Sequence, residues 1–408
     1  MRSNTCLAGL RRAIRIDLFL ILALGLVLLA ASPVQAQTFT VLHAFTGVPD
    51  GSGPNGVILD ASSNLYGTTY SGGRRYHGIA FEISPSGKET IRYNFLAAHG
   101  ANPDSILFRD ANGTLYGATY SGGAYNRGAV FKLSKTGHET ALYSFSGGTD
   151  GYWPNAVIRG ADGYFYGTTE NGGNTECDGQ GCGTVFKLSP AGKKTALYTF
   201  TGGADGGGPW GVLVQDSAGN LYGVTRGGGD LSCNDGYGCG TVFEVDTAGT
   251  ETVLHSFIGG NDGIWPAGLI RDQEGNFYGA TSQGGLFGNG TVFKLDTTGQ
   301  ETVLYSFTGG FDGSQPGAGV VLDASGNIYG TTSSGGAGSC GCGVVFELDT
   351  SGKETVLHSF TGGGDGSGPG TGVVLDSAGN IYGTAGGGGN LSCGYNREGC
   401  GTVFKITR

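Results

Sequence analysis

Beyond its first 36 residues the chain has no apolar run long enough to cross a bilayer, no stretch with apolar residues at helical spacing, and no excess of positive charge. Each absence excludes something. Without a long apolar run, no later segment reads as a membrane helix. Without a 3.6-residue period, helical and α/β folds have no face to bury. Lys and Arg number 23 against 33 Asp and Glu, and an acidic surface offers nucleic acid and anionic membranes no counter-charge. Catalytic groupings are missing as well. The six histidines are scattered, and no nucleophile stands beside a base. No unit carries the Asp-rich run, closed by Gly and Glu, of a dedicated calcium loop.

The N-terminus is the exception to the missing apolar runs. Arg11, Arg12 and Arg15 precede an apolar stretch from Leu18 to Ala31, and Val34-Gln35-Ala36 follows. A basic start, a short apolar run and a small-residue site describe a secretory signal peptide, with cleavage after Ala36. A membrane helix is the competing reading, and the run is short for one. The mature chain, residues 37–408, then holds 19 cationic and 32 acidic residues, a net charge of −13. A secreted or periplasmic location follows, with no membrane span once the signal is removed.

Cys6 leaves with that segment. The other eight cysteines form local pairs, Cys177-Cys182, Cys233-Cys239, Cys340-Cys342 and Cys393-Cys400. An even count in an exported chain reads as disulfides. Zinc is the rival, but no His accompanies any pair and the pairs lie in different units. Cys340-Gly341-Cys342 closes the tightest ring and is the least secure of the four.

What is abundant is glycine, 85 residues of it, in a fixed register. A unit of about fifty residues recurs seven times, marked by Phe45, Phe95, Phe145, Phe200, Phe257, Phe307 and Phe360. Each copy has four short strand signals separated by turn residues. In the sixth, Val303–Phe307 alternates, Val320–Leu322 is a brief apolar run, and Asp323-Ala324-Ser325-Gly326-Asn327 turns into Ile328–Thr332. A glycine-rich loop then leads to Gly343–Leu348. A strand apolar on both faces belongs in the middle of a fold, and one carrying Tyr, His and Ser belongs outside. The phase predicted is therefore Val320–Leu322 innermost and the VLYSF strands outermost.

This phase accounts for both ends of the chain. An orphan outer strand, Thr38–Phe45, opens it and a third strand, Gly401–Ile406, closes it. The first can complete the last sheet, giving an all-β, seven-bladed propeller of four-stranded antiparallel blades over residues 37–408. An open solenoid is the alternative, but no capping repeat is evident.

Insertions concentrate between the second and third strands, where the interval varies from 14 to 21 residues and the cysteine pairs sit. In a propeller that loop and the blade-to-blade connection share one face, so ligand binding is expected there. The connection carries GGxDGxxP, with Asp50, Asp150, Asp205, Asp262, Asp312 and Asp365. These six acids either cap their own turns or form a ring at the channel mouth able to hold Ca²⁺ or a cationic ligand. All three tryptophans, Trp153, Trp210 and Trp265, flank the connection proline in consecutive units. They read as an aromatic platform for a carbohydrate or protein ligand, or as plugs between blades. Tyr70, Tyr120 and Tyr125 decorate the first two units and either extend that surface as ligand contacts or stand as solvated loop residues. His43, His255 and His358 share a slot with Tyr143, Tyr198 and Tyr305, which argues against metal ligation.

The combination SFTGGxDGxxP, GNLYGTTxxGG and GTVFKLDxxGxET, over residues 39–408, resembles the tandem GloVer repeat of bacterial exported proteins with a choice of anchor. The resemblance implies an extracytoplasmic repeat protein and brings no catalytic residues with it. It also implies a terminal anchoring segment, which is not expected here because the chain stops at Arg408 directly after its last strand. The expectation is an exported binding module, monomeric and without catalysis of its own. A carbohydrate-active lyase or hydrolase working through the Asp ring, and a purely structural envelope protein, are the alternatives.

Overall fold

The computed structural model describes residues 37–393 and 398–408, so the expected signal peptide lies outside the described residues. Seven antiparallel sheets follow one another around a ring, each built from an inner, a second, a third and an outer strand. In blade 3 these are Tyr152–Arg159, Phe165–Asn171, Thr184–Leu188 and Lys194–Thr199. The inner strands of the seven blades begin at Ser52, Ala101, Tyr152, Gly207, Ile264, Val321 and Val373. In blades 1 and 2 the inner strand is split in two pieces, as in Ser52–Pro54 and Ile58–Leu59. The predicted phase holds, with Val321–Leu322 inside blade 6 and Glu354–Ser359 outside it. Helix is confined to single 3-10 turns at Gly148–Asp150 and Asn234–Gly236 among the described residues.

Closure is made by the N-terminal strand. Thr38–Ala44 pairs with Thr402–Thr407 in a register running from Thr38 opposite Thr407 to Ala44 opposite Thr402. Blade 7 is thus Val373–Leu375, Ile381–Ala385, Thr402–Thr407 and then Thr38–Ala44. Phe39 adds side-chain contact, stacked on His358 and Phe404.

Each seam between blades is sealed by the same ring pair. The Phe after each outer strand meets the third-strand Phe of the next blade: Phe45 with Phe81, Phe95 with Phe131, Phe145 with Phe186, Phe200 with Phe243, and likewise through Phe360 with Phe404. Centroids in the seven pairs are 4.9–5.4 Å apart and the planes cross at 57–72°, the tilted geometry that ring quadrupoles favour. The third-strand ring lies on a second-strand glycine. A Cβ added to Gly223 would stand 2.6 Å from the Phe243 ring, which is why the LYG of each unit ends in glycine. Burial is deepest in the second and third strands, whereas Val321 and Leu322 are only half buried. The inner strand lends one edge to the axis, so its two apolar residues are less enclosed than a run apolar on both faces suggests.

A second seam contact corrects the boundary of the connection. The residues up to the connection proline belong to the inner strand in blades 1 to 5, not to a loop, and in blades 3, 4 and 5 that strand continues unbroken. The residue before the proline is left-handed in every blade, with φ of 54–60° at Asn102, Trp153, Trp265 and Gln315 and with glycine in the other three. This conformation turns its N–H toward the preceding blade. Trp153 donates to the Arg127 carbonyl (3.1 Å), Trp265 to Cys239 (3.0 Å), and Gly53 across the closing seam to Cys400 (3.0 Å).

The turns between inner and second strands use the expected aspartate chemistry. Ser325 and Asn327 donate backbone N–H to Asp323 Oδ1 at 2.8 and 2.9 Å, while Tyr329 Oη donates to Oδ2 at 3.0 Å.

Candidate functional site

The loops between second and third strands and the blade-to-blade connections do share one face. Gly202 of a connection lies against Cys177 and Cys182, Gly259 against Cys233 and Cys239, Gly362 against Cys340 and Cys342, and Gly47 against Cys393 and Cys400. All four expected disulfides are formed, with Cα atoms 5.2–5.7 Å apart. Each staple therefore braces the loop of a blade against the connection that leaves the same blade.

This face also gathers the apolar surface. Of the thirteen exposed large apolar or aromatic residues among the described residues, twelve sit on these loops, connections or the strand ends beneath them, and only Tyr164 belongs to a turn at the opposite end. Around blades 4 and 5 the exposed aromatics are Tyr237, Phe287 and Phe311, Phe311 being 76% exposed, with Ile258 and Leu286 beside them. Exposed aromatics collected on one side mark an interaction surface.

The three tryptophans stand at the inner ends of blades 3, 4 and 5 and are all half buried. They do not form one continuous platform. Trp153 stacks on Tyr120 of the preceding blade, with centroids 4.6 Å apart. Trp210 lies beneath the Arg226 guanidinium, 3.5 Å from the ring centroid. Trp265 lines a cleft of about 800 Å³ between the stapled loops of blades 3 and 4. Holding a bulky side chain in left-handed backbone is costly, of order 1–3 kcal/mol, and such outliers collect at functional sites. Trp153 and Trp265 are two of them. Tyr70 joins the inner group, whereas Tyr125 stands out on the blade 2 loop, 62% exposed.

Sequence reasoning singled out Tyr70 and Tyr120 but missed that Glu170 and Arg226 share their register position. The residue after YGTT and its variants reads Tyr70, Tyr120, Glu170 and Arg226 in blades 1 to 4, but Ser282, Ser333 and Gly386 in blades 5 to 7. With Asp104, which follows the blade 2 proline, it forms an arc of aromatic and charged groups on one side of the axis. Burial, with the Glu170, Tyr70 and Asp104 charges adding to it, pushes the Tyr120 hydroxyl up. Burial likewise raises the carboxyls of Asp104 and Glu170 and lowers Arg226, each shift opposed by the opposite charges nearby. The signal was available as a repeat position that is small in three copies and large or charged in four.

The six connection aspartates are occupied by their own turns. Asp205 accepts from the Thr201 backbone N–H at 2.8 Å and from Tyr198 Oη at 2.9 Å. Asp312 does the same with Thr308 (2.7 Å) and Tyr305 (3.0 Å). Asp50, Asp150, Asp262 and Asp365 repeat the pattern, with His43, Tyr143, His255 and His358 as the ring partners. These partners lie on outer strands, so the structure places the acids at the periphery of the seams and assembles no carboxylate ring at the channel mouth.

A glutamate of the next outer strand completes four of these stations. Glu89, Glu251, Glu301 and Glu354 each leave Oε1 buried without a partner. Burial first, and then a neighbouring aspartate, lifts each of these carboxyls to about 7. At the Asp50 station, burial is outweighed by the His43 imidazole 3.3 Å away and by hydrogen bonds from Thr46, so the Asp50 carboxyl is held below its usual range. His43, Asp50 and Glu89 bring ligand atoms within 4.8 Å of one another, yet the same station with Tyr198 or Tyr305 in the His43 slot has no metal-ligating third group. At Asp150 the glutamate is replaced by Lys194, whose Nζ lies 3.0 Å from Oδ1.

A pH dependence follows from the four glutamates. An unfolded glutamate loses its proton near 4.3, whereas these keep theirs to about 7. The stability this contributes is complete below the ordinary value and is lost as pH rises through about 7. The melting temperature is expected to fall between pH 5 and 8. A Glu89→Gln/Glu251→Gln/Glu301→Gln/Glu354→Gln protein should give a flatter profile by circular dichroism, and parallel profiles would refute the assignment.

A profile of the Gloeobacter/Verrucomicrobia repeat matches residues 27–180, 89–265, 148–341 and 232–408. No curated protein matches. Among solved structures, the chain is similar to an inactive form of virginiamycin B lyase from Staphylococcus aureus crystallised with quinupristin. That likeness has a TM-score of 0.56 at 13% identity over 91% of this chain and all of that one. It is also similar to the extracellular domain of a putative hybrid two-component system from B. thetaiotaomicron, with a TM-score of 0.55 at 13% identity over 91% of this chain and 42% of the other. At such identities the likeness is one of fold.

Proposed function

We propose that the chain, which belongs to the Gloeobacter/Verrucomicrobia repeat family, is an exported binding module that holds a carbohydrate, a cell-wall fragment or an extracellular protein on its loop face. One observation carries the reading: among the described residues, twelve of the thirteen exposed large apolar or aromatic side chains lie on the face that the disulfides brace. Rigid loops lose little entropy on binding, which favours affinity. Four disulfides suit an oxidising compartment, and among the described residues no helix is long and apolar enough to cross a membrane. In this reading the protein acts as a monomer, performs no catalysis of its own and does not engage nucleic acid. No observation favours the lyase or hydrolase alternative, since its aspartates are engaged in turns.

The test compares two faces. A Tyr237→Ala/Phe287→Ala/Phe311→Ala protein and a Tyr164→Ala control are assayed against immobilised polysaccharides and envelope fractions. Binding should weaken about tenfold or more in the first and stay at the parent level in the control. Equal binding by both folded variants would overturn the reading.

A further inference from the structure

We propose that the cleft between the stapled loops of blades 3 and 4 takes a neutral saccharide, its hydroxyls bridging Arg226 and Glu170 and a ring face lying on Trp265. The inference rests on the loop-face reading above and names the ligand class.

The argument starts from unspent hydrogen-bonding groups. Arg226 is fixed over Trp210 at 3.5 Å, and its Nε is buried without an acceptor. Among the described residues no carboxylate reaches ion-pair distance of it, and Glu170 accepts no hydrogen bond, although each biases the titration of the other. Both line the cleft. A guanidinium only donates and a carboxylate only accepts. A ligand group serving both must do both, and the hydroxyl is the simplest that does. A vicinal diol places two at the right spacing.

Charge narrows the class. Glu170, Glu176 and Asp178 line the cleft against the single cation Arg226. An acidic polymer meets net repulsion there, and a cationic ligand, though drawn by the carboxylates, offers the buried Arg226 Nε no acceptor. A polar, uncharged molecule avoids both difficulties. Trp265 supplies the remaining element, a ring face for the C–H surface of a sugar, held in place by its left-handed backbone and its bond to Cys239.

The experiment titrates the mature chain, residues 37–408, with neutral hexasaccharides of glucose, xylose, mannose and N-acetylglucosamine and with hexagalacturonate, by calorimetry and tryptophan fluorescence. At least one neutral hexasaccharide should bind with little dependence on salt. Glu170→Gln, Arg226→Met and Trp265→Ala should each weaken it about tenfold or more. Glu170→Gln is isosteric, so an unchanged melting temperature separates lost recognition from lost folding. Tighter binding of hexagalacturonate overturns the proposal, as does a neutral sugar whose affinity ignores both Glu170→Gln and Arg226→Met. If the whole panel fails while another ligand is lost in the Tyr237/Phe287/Phe311 variant, the saccharide falls and the binding face stands. If nothing depends on that face, both fall.

Discussion

Deleting Thr38–Ala44 should convert a cooperatively unfolding ring into a protein that melts at least several degrees lower and self-associates. The strand supplies the whole outer edge of blade 7 through its register with Thr402–Thr407. It also supplies Phe39, half buried against His358 and Phe404, and partial burial of such a ring contributes on the order of 1 kcal/mol. Its loss leaves unpaired those N–H and C=O groups of Thr402–Thr407 that face it, while the pairing with Ile381–Ala385 remains, and such an open edge is a template for pairing with another chain. It also removes the strand that leads to Phe45, half of the ring pair at the seam between blades 7 and 1. Size-exclusion chromatography with a thermal melt measures both effects. A truncated protein that stays monodisperse at the parent midpoint would mean that closure does not depend on this strand.

The second large effect belongs to the seams. Phe243→Ala is expected to cost about 3–5 kcal/mol, the range for emptying a fully buried aromatic site. Phe243 is completely buried, meets Phe200 at 5.0 Å, and covers Gly223. The void would open between two blades that touch along one line, where neighbouring backbone has little freedom to collapse. The same change at Phe311, an exposed loop residue, should leave stability within about 0.5 kcal/mol of the parent. Urea unfolding of the two variants distinguishes a ring set by its seams from one set by its separate sheets, and equal midpoints would contradict the seam account.

Much of this architecture was legible in the chain. The recurrence of Phe45 through Phe360, the Asp-Gly turns and the orphan strand at Thr38 led to the blade phase and the closure, because short-range turn chemistry and a fixed period determine both. Three things were not legible, each for a physical reason. The start of the inner strand at Tyr152 was hidden because GGxDGxxP reads as a turn, while the left-handed residue before proline lets it run straight into a strand. The fate of the connection aspartates depends on the direction of one side chain, and at Asp205 it points to Thr201 and Tyr198 rather than to the axis. The arc of Asp104, Glu170 and Arg226 joins residues 66 and 56 positions apart in sequence, which only the ring brings together. Within any one unit Arg226 looks like an ordinary strand-end cation.

The offset between sequence unit and blade bears on how such rings change in size. Each fifty-residue unit starts with the outer strand of one blade and ends with the third strand of the next, so it carries both rings of one seam, as Phe45 with Phe81 and Phe200 with Phe243 do. A tandem duplication or unequal exchange of one unit would therefore insert a blade already fitted to both neighbours. The overlap at Thr38 and Thr407 would still lock the circle, and six-, seven- and eight-membered descendants become reachable in single genetic steps.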